Sequence, residues 1–288
     1  MKKPQWITIA AAVVLVAAIY SFGKTVPEKK KSAAVSEQHS PDDGHGHGTD
    51  AMSTDTILAL AHKQLTPEQS VRLNTLRNSV SRGDVKDQQL KIFHQLSHFW
   101  RDSAKMFEPY AWYVAEAARL ENSENSLTFA AHLFLENLQG DRDFALRKWK
   151  ALQAKDLFER SLKINAANDS SKIGLGASYL FGNITDNPME GISRIREVTD
   201  RDSTNVFANM ILAKASVMSG QTDKAIERLM TVNRFAPSNL EAILMLADIF
   251  ERTRDNKNAI YWYGKSLPLV TRGDVREEIE KRINELKK

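Results

Sequence analysis

The chain has 288 residues and contains no cysteine. Disulfides are therefore excluded, and so is a lipid-modified cysteine of the lipoprotein type. Hydrophobic residues make up 42% of the sequence and charged residues 26%, as is typical of a globular body. A body of this length can bury an adequate core without covalent crosslinks.

Signals for strands and for catalysis are also scarce. No Asn-Gly or Asp-Gly pair lies between alternating apolar runs, since Asp43-Gly44 belongs to a polar segment. The sequence has no glycine-rich phosphate loop, nucleophile elbow or dinucleotide fingerprint. The net charge is only +4, and no basic stripe carries interleaved aromatic residues, which argues against a nucleic-acid partner. These gaps predict an all-α, non-enzymatic protein with no catalytic residues, no metal site and no cofactor.

The chain does begin with a long uncharged segment. Two lysines precede Trp6–Phe22, a run of 17 residues without a charge, which is at the short limit for a membrane span. One interpretation is an uncleaved signal anchor over residues 1–23, with Trp6 and Tyr20 at the membrane interfaces. The other is a cleaved signal peptide that leaves a soluble periplasmic protein. We expect the anchor, and therefore a single-pass protein of the cytoplasmic membrane with its body in the periplasm.

Residues 24–53 are predicted to form a disordered polar linker, because they contain almost no large apolar residues. Within this linker His45 and His47 alternate with glycine, beside Asp42 and Asp43. Imidazole suits zinc, copper and nickel, but a flexible tail has no outer layer of contacts to fix the geometry of its ligands. We therefore interpret the segment as a polar tether without a metal.

Two stretches of the chain match each other at a spacing of 34 residues. Residues 206–239 read VFANMILAKASVMSGQTDKAIERLMTVNRFAPSN, and residues 240–273 read LEAILMLADIFERTRDNKNAIYWYGKSLPLVTRG. Small residues that let two helices approach closely match between the two stretches, and so do larger residues that fill the gaps between helices. The matched pairs are Leu212 with Leu246, Ala213 with Ala247, Ala225 with Ala259, Ile226 with Ile260, and Leu229 with Tyr263.

The period and these residues together resemble the tetratricopeptide repeat, a helix–turn–helix unit that stacks into a solenoid. Gly220 fits the end of the first helix, with Asp255 and Asn256 in the corresponding turn of the next unit, and Pro237 fits the end of the second helix. The second stretch departs from the family at Thr271, where the helix-ending proline is missing.

Weaker helical pairs extend the pattern upstream. Residues 169–205 contain a unit whose turn, Gly182–Pro188, is three residues longer than in the later units. Ser126–Leu138 and Asp143–Ile164 form a degenerate pair with a long second helix. We therefore predict tetratricopeptide repeats over residues 122–273.

Helices are also predicted on both sides of the repeats. Residues 54–121 form an N-terminal helical region, with a short helix over Thr66–Ser81 and two helices within 85–121 that pack through aromatic residues. Residues 274–288 form a C-terminal capping helix with one apolar face, and Asp274 is its expected N-cap.

Two histidines of the helical region have a spacing found in metal sites. His94 and His98 lie four residues apart on one helix face, but Gln95 stands where a zinc protease has glutamate. Both are expected to be partly buried packing residues, and His132 to be a core or interface residue.

The resemblance implies that ligand contacts come from the first helix of each unit. The family's clamp of Lys, Asn and Arg for a C-terminal carboxylate is not reproduced in this sequence. The implied groove is apolar in its middle, which suits an amphipathic helix or an apolar peptide. The candidate partner-binding residues are Phe207, Met210, Lys214, Val217, Met218, Leu244, Asp248, Arg252, Leu180 and Phe181.

The leading hypothesis is a membrane-anchored tetratricopeptide scaffold that binds a protein or peptide partner in the cell envelope and supports complex assembly. A second hypothesis is an apocytochrome-holding factor similar to the tetratricopeptide proteins of cytochrome c maturation. A third and weaker one is a metal-binding protein that uses the histidines.

Overall fold

The computed structural model describes residues 51–80, 86–185 and 187–288, without the side chains of residues 79 and 80. These residues contain 13 α-helices and no strand, which confirms the all-α prediction. The helices are α1 Thr54–His62, α2 Pro67–Val80, α3 Lys86–His98, α4 Phe107–Glu121, α5 Glu124–Leu138, α6 Phe144–Ile164, α7 Asp169–Gly182, α8 Pro188–Thr199, α9 Val206–Met218, α10 Thr222–Phe235, α11 Leu240–Arg252, α12 Asn256–Ser266 and α13 Gly273–Leu286. A π-helical turn, Phe99–Ser103, follows α3, and a 3-10 turn, Leu267–Leu269, follows α12.

The N-terminal predictions lie largely outside the described residues. This applies to the anchor over residues 1–23, to the linker histidines and to the linker as far as residue 50. Ala51, Met52 and Ser53 belong to the body, since the Met52 amide donates to the Ala145 carbonyl at 3.2 Å. No helix in the described part of the chain is both long enough and apolar enough to cross a membrane.

Four consecutive helix pairs form the repeat array: α5–α6, α7–α8, α9–α10 and α11–α12. Asparagine begins the first helix of three of these pairs. Its side-chain oxygen accepts a hydrogen bond from the first turn of α7, α9 and α11, and the residues are Asn168, Asn205 and Asn239. Asparagine is among the strongest N-caps because this oxygen satisfies an amide that the helix itself leaves unpaired.

The helices within each pair pack as the repeat register predicts. Ala213 and Ala225 are fully buried in one unit, and Ala247 and Ala259 are fully buried in the next. Large residues at the same depth complete the core, with Leu229 and Leu246 also at 0% exposure. The tetratricopeptide-type solenoid expected from the sequence is therefore the observed fold.

The turn after the first helix differs between the two best-matched units. Gly220 adopts a left-handed φ of 71°, as expected for a residue that ends a helix. The corresponding residue one repeat later is Arg254, with a φ of 63°, directly before the Asp255 that was expected in the same turn. Asp255 caps α12 by accepting from the Asn258 amide.

The N-terminal helices form a smaller core of their own. Helix α2 begins with a capping box, in which Thr66 and Gln69 each accept a hydrogen bond from the other's backbone amide. Leu73, Phe99 and Trp100 are almost fully buried, which confirms the expected aromatic packing.

The last helix covers the end of the array. Ile279 and Ile283 of α13 are buried together with Val270, while the opposite face of the helix is polar. The expected N-cap was wrong by two residues: Arg272 occupies that position, and Asp274 lies in the first turn as its ion-pair partner.

Candidate functional site

The first helices of the four pairs line one continuous groove. It consists of three adjoining cavities, of about 420, 320 and 380 Å³. The first and second cavities share His132 and Phe207, and the second and third share Phe181, Lys214 and Glu241. We call this surface the inner groove.

The floor of the inner groove is mainly apolar. Phe207 is half-buried and lines two of the cavities, while Val217 and Met218 line the third. Met218 is 70% exposed, which makes it the most accessible large apolar side chain here. Met210 and Phe181 are only 6% and 7% exposed, so only a small part of each side chain faces the groove.

An ion pair crosses the inner groove between two units. Lys214 Nζ of α9 lies 2.7 Å from Glu241 Oε1 at the start of α11. The carboxylate is more than half exposed, so the pair is open to a partner that could replace it. Nearby, the Arg147 guanidinium stacks over the Phe144 ring at 4.4 Å from its centroid, and its Nε has no hydrogen-bond partner among the described residues.

His132 occupies the end of the groove formed by α5 and α7. Its Nε2 lies 2.7 Å from Ser170 Oγ, and its ring packs edge-on against Phe158 and beside Phe207. Burial lowers the pKa of His132, and the charge of Glu136 partly opposes this effect. In the described part of the chain no carboxylate hydrogen-bonds its other ring nitrogen.

The remaining predicted residues lie elsewhere on the array. Leu180 lies next to the groove at the end of α7 and lines a separate cleft. Leu244 packs against the cluster of Val270, Ile279 and Ile283, under the C-terminal helix. Asp248 and Arg252 pair with each other on α11 at 2.9 Å and line none of the three groove cavities.

Several groove residues were not proposed from the sequence. They are His132, Glu136, Gln139, Arg147 and Met245. His132 and Glu136 are four residues apart on α5, so they share a helix face. Carrying the family positions onto the degenerate first pair would have placed them in the groove.

The two histidines of α3 are exposed, so the expectation of partial burial was wrong. The side chains of His94 and His98 are 52% and 61% exposed. Each faces one carboxylate: Glu121 at 3.6 Å and Asp102 at 3.3 Å respectively. The described residues contain no group of three side chains suited to hold a metal ion.

The paired helices define a tetratricopeptide-type solenoid with a groove along its first helices. No protein-family model matches the chain, and no curated protein matches it. Among solved structures, a MamA fragment from Desulfovibrio magneticus RS-1 is 20% identical over 65% of this chain and 96% of that chain, with a TM-score of 0.41. A second MamA structure is 13% identical over 64% of this chain and 92% of that chain, also at 0.41. YrrB, described as a TPR protein with an unusual peptide-binding site, is 14% identical over 71% of this chain and 96% of that chain, at 0.40. The helix pairs of this chain themselves define its fold.

Proposed function

We propose that the chain is a scaffold that holds a segment of a protein partner in the inner groove and thereby supports complex assembly. The observation that carries the proposal is the continuity of the groove across all four helix pairs. Its three cavities share residues, so one extended or helical segment can contact α5, α7, α9 and α11 in succession. In this proposal the protein is a binding module and not an enzyme.

The chemistry of the groove supports a peptide ligand. An apolar strip from Phe207 to Met218 can bury side chains of the partner, and methionine adapts to varied shapes. Lys214, Glu241 and Glu136 at its borders can orient the partner through charge and hydrogen bonds. This combination of an apolar centre and polar border is typical of protein interfaces.

Site-specific photo-crosslinking tests where the partner sits. A benzophenone amino acid replaces Phe207 or Val217 in the full-length protein, and Phe235 or Tyr261 in matched controls. The two control residues are 51% and 58% exposed and line no groove cavity. We expect one discrete adduct from the groove positions and none from the controls. The same adduct from all four positions would show that the groove does not select the partner.

We further propose that Trp6–Phe22 remains in the membrane and holds the body in the periplasm. The basic start, the uncharged run and the polar segment that follows support this topology. Protease added to spheroplasts should degrade the body, while a cytoplasmic control stays intact. Release of the body with the soluble periplasmic fraction would favour signal cleavage, and protection of the body would contradict both export interpretations.

A further inference from the structure

A second cleft opens at the edge of the solenoid where the turns within the helix pairs lie. It has a volume of about 460 Å³ and lies between the α7–α8 pair and the α9–α10 pair. Leu180, Ile192 and Leu212 form part of its apolar wall, and Met189 and Met218 stand at 55% and 70% exposure. We call it the turn-edge cleft.

The turn-edge cleft lies at a discontinuity of the core. Two core clusters meet in α9, with Ile211 and Leu212 in the first and Met210 and Ala213 in the second. A volume of this size lies within the range of ligand-binding cavities.

The charge of this cleft is one-sided. Arg196, Lys224 and Arg228 line it, and among the described residues no acidic side chain does. Lys224 Nζ donates to Gln221 Oε1 at 2.7 Å and Arg228 Nη1 donates to Asn209 Oδ1 at 3.1 Å, both neutral acceptors. None of the three cations forms an ion pair within the described residues. Burial lowers the pKa of Arg228, and the neighbouring Arg196 charge lowers it further against an opposing contribution from Glu227.

Two cations elsewhere in the described residues, one buried and one half-buried, do face carboxylates. Lys150 pairs with Glu108 and Asp141, and Arg119 pairs with Glu116 and Asp156. Cations grouped around an apolar cavity without counter-charges attract an anion that also carries an apolar part.

We propose that the turn-edge cleft binds an acidic, leucine-like segment of the partner protein, with an apolar side chain inside and carboxylates facing Arg196, Lys224 and Arg228. This inference rests on the proposed function and gives the partner its chemistry. Phe181 and Met218 line both the turn-edge cleft and the inner groove, so a single segment can occupy both. That continuity favours a protein segment over a free lipid.

The test uses the full-length protein in detergent and a fluorescein-labelled synthetic peptide of leucine and glutamate. A matched peptide carries glutamine in place of glutamate. The cleft variant is Arg196→Gln with Lys224→Gln, since both side chains are exposed and neither holds the fold together. The control is Arg234→Gln with Lys257→Gln, an equal charge change at exposed residues that line neither the turn-edge cleft nor the inner groove. Fluorescence anisotropy at low and high salt gives the dissociation constants.

We expect the acidic peptide to bind wild type, and to bind the cleft variant about tenfold more weakly, as for the loss of two partly exposed ion pairs. The control should bind as wild type does, and added salt should weaken binding to wild type. Equal binding of the acidic and glutamine peptides, or an equal loss in both variants, overturns the inference. Binding of oleate that needs Arg196 and Lys224, without binding of the acidic peptide, overturns it in favour of a lipid.

Failure of this inference is distinguishable from failure of the proposed function. If the benzophenone at Phe207 still gives a discrete adduct while the acidic peptide does not bind, the groove proposal stands and the cleft assignment is wrong. Loss of the adduct together with intact, cleft-dependent peptide binding would instead refute the inner groove as the place of capture.

Discussion

Gly176 of α7 and Gly191 of α8 meet backbone to backbone. A Cβ atom on Gly176 would stand 2.6 Å from the Gly191 carbonyl oxygen, and one on Gly191 would stand 2.5 Å from the Gly176 carbonyl oxygen. In the later units alanines occupy the same two positions, Ala213 with Ala225 and Ala247 with Ala259, and all four are fully buried. The α7–α8 pair is therefore packed more closely at this point than a side chain permits.

Replacing Gly176 or Gly191 by alanine should destabilise the protein by about 1–3 kcal/mol, because the added methyl meets backbone that cannot rotate away. Gly264→Ala in α12 is the matched control, since nothing lies within 4 Å of a Cβ at that position. There the better helix propensity of alanine should stabilise by up to about 1 kcal/mol. Urea unfolding of all three variants decides the matter, and three equal midpoints would contradict the close approach.

Substitutions at the left-handed residues Gly220 and Arg254 should change stability in opposite directions. Gly220→Ala should destabilise by about 1 kcal/mol, because alanine resists the φ of 71°. Arg254→Gly should be neutral or stabilising by up to about 1 kcal/mol, since it relieves a residue held at 63°. Thermal melts of both variants test the assignment, and a marked loss of stability in Arg254→Gly would refute it.

Lys150 is a buried cation shared by two carboxylates. It is 2% exposed, and its Nζ lies 2.8 Å from Glu108 Oε1 and 2.9 Å from Asp141 Oδ2. Lys150→Met should destabilise by about 3 kcal/mol, because two facing carboxylates lose their common partner. Adding Glu108→Gln and Asp141→Asn should recover much of this loss in urea unfolding. If the triple variant is no more stable than Lys150→Met, charge is not the cause.

Stability should depend on pH through His132. Burial lowers the pKa of its folded-state imidazole below the ordinary value of 6.5, so the unfolded chain binds the proton more readily. The stabilising contribution is complete above pH 6.5 and is lost as the pH falls through the lowered folded-state value. Melting temperatures of wild type should fall across this window, and those of His132→Gln should fall less. Parallel curves would show that His132 does not titrate in this way.

The repeats were readable from the sequence because each unit is built from short-range signals. The spacing of Ala213, Ala225, Ala247 and Ala259 fixes which helices pair, and the structure has them fully buried. Gly220 was placed correctly for the same reason, since a helix end is a local feature. Arg254 was not predicted as a left-handed residue, because arginine has no particular preference for that conformation.

The candidate site was less readable because it depends on contacts between distant residues. Leu244 occupies a family ligand position, yet the C-terminal helix supplies the cluster against which it packs. His132 lines the groove together with Ser170, to which it is hydrogen-bonded, and Phe207, against which its ring packs. Both residues lie far from His132 in the sequence. The turn-edge cleft is lined by residues of two units, so no residue pattern within one unit predicts it.

The central claim is that the partner is held by the strip from Phe207 to Met218. The most direct measurement uses the partner that photo-crosslinking identifies, purified on its own, and determines its affinity for full-length protein. The groove variant is Phe207→Ala with Met218→Ala, and the control variant is Met230→Ala with Phe235→Ala. The control removes the same two residue types at 40% and 51% exposed positions that line no groove cavity. We predict a loss of about 2 kcal/mol or more in binding free energy for the groove variant, with the circular dichroism unchanged, and no loss for the control. Equal affinities of the two variants would contradict the account.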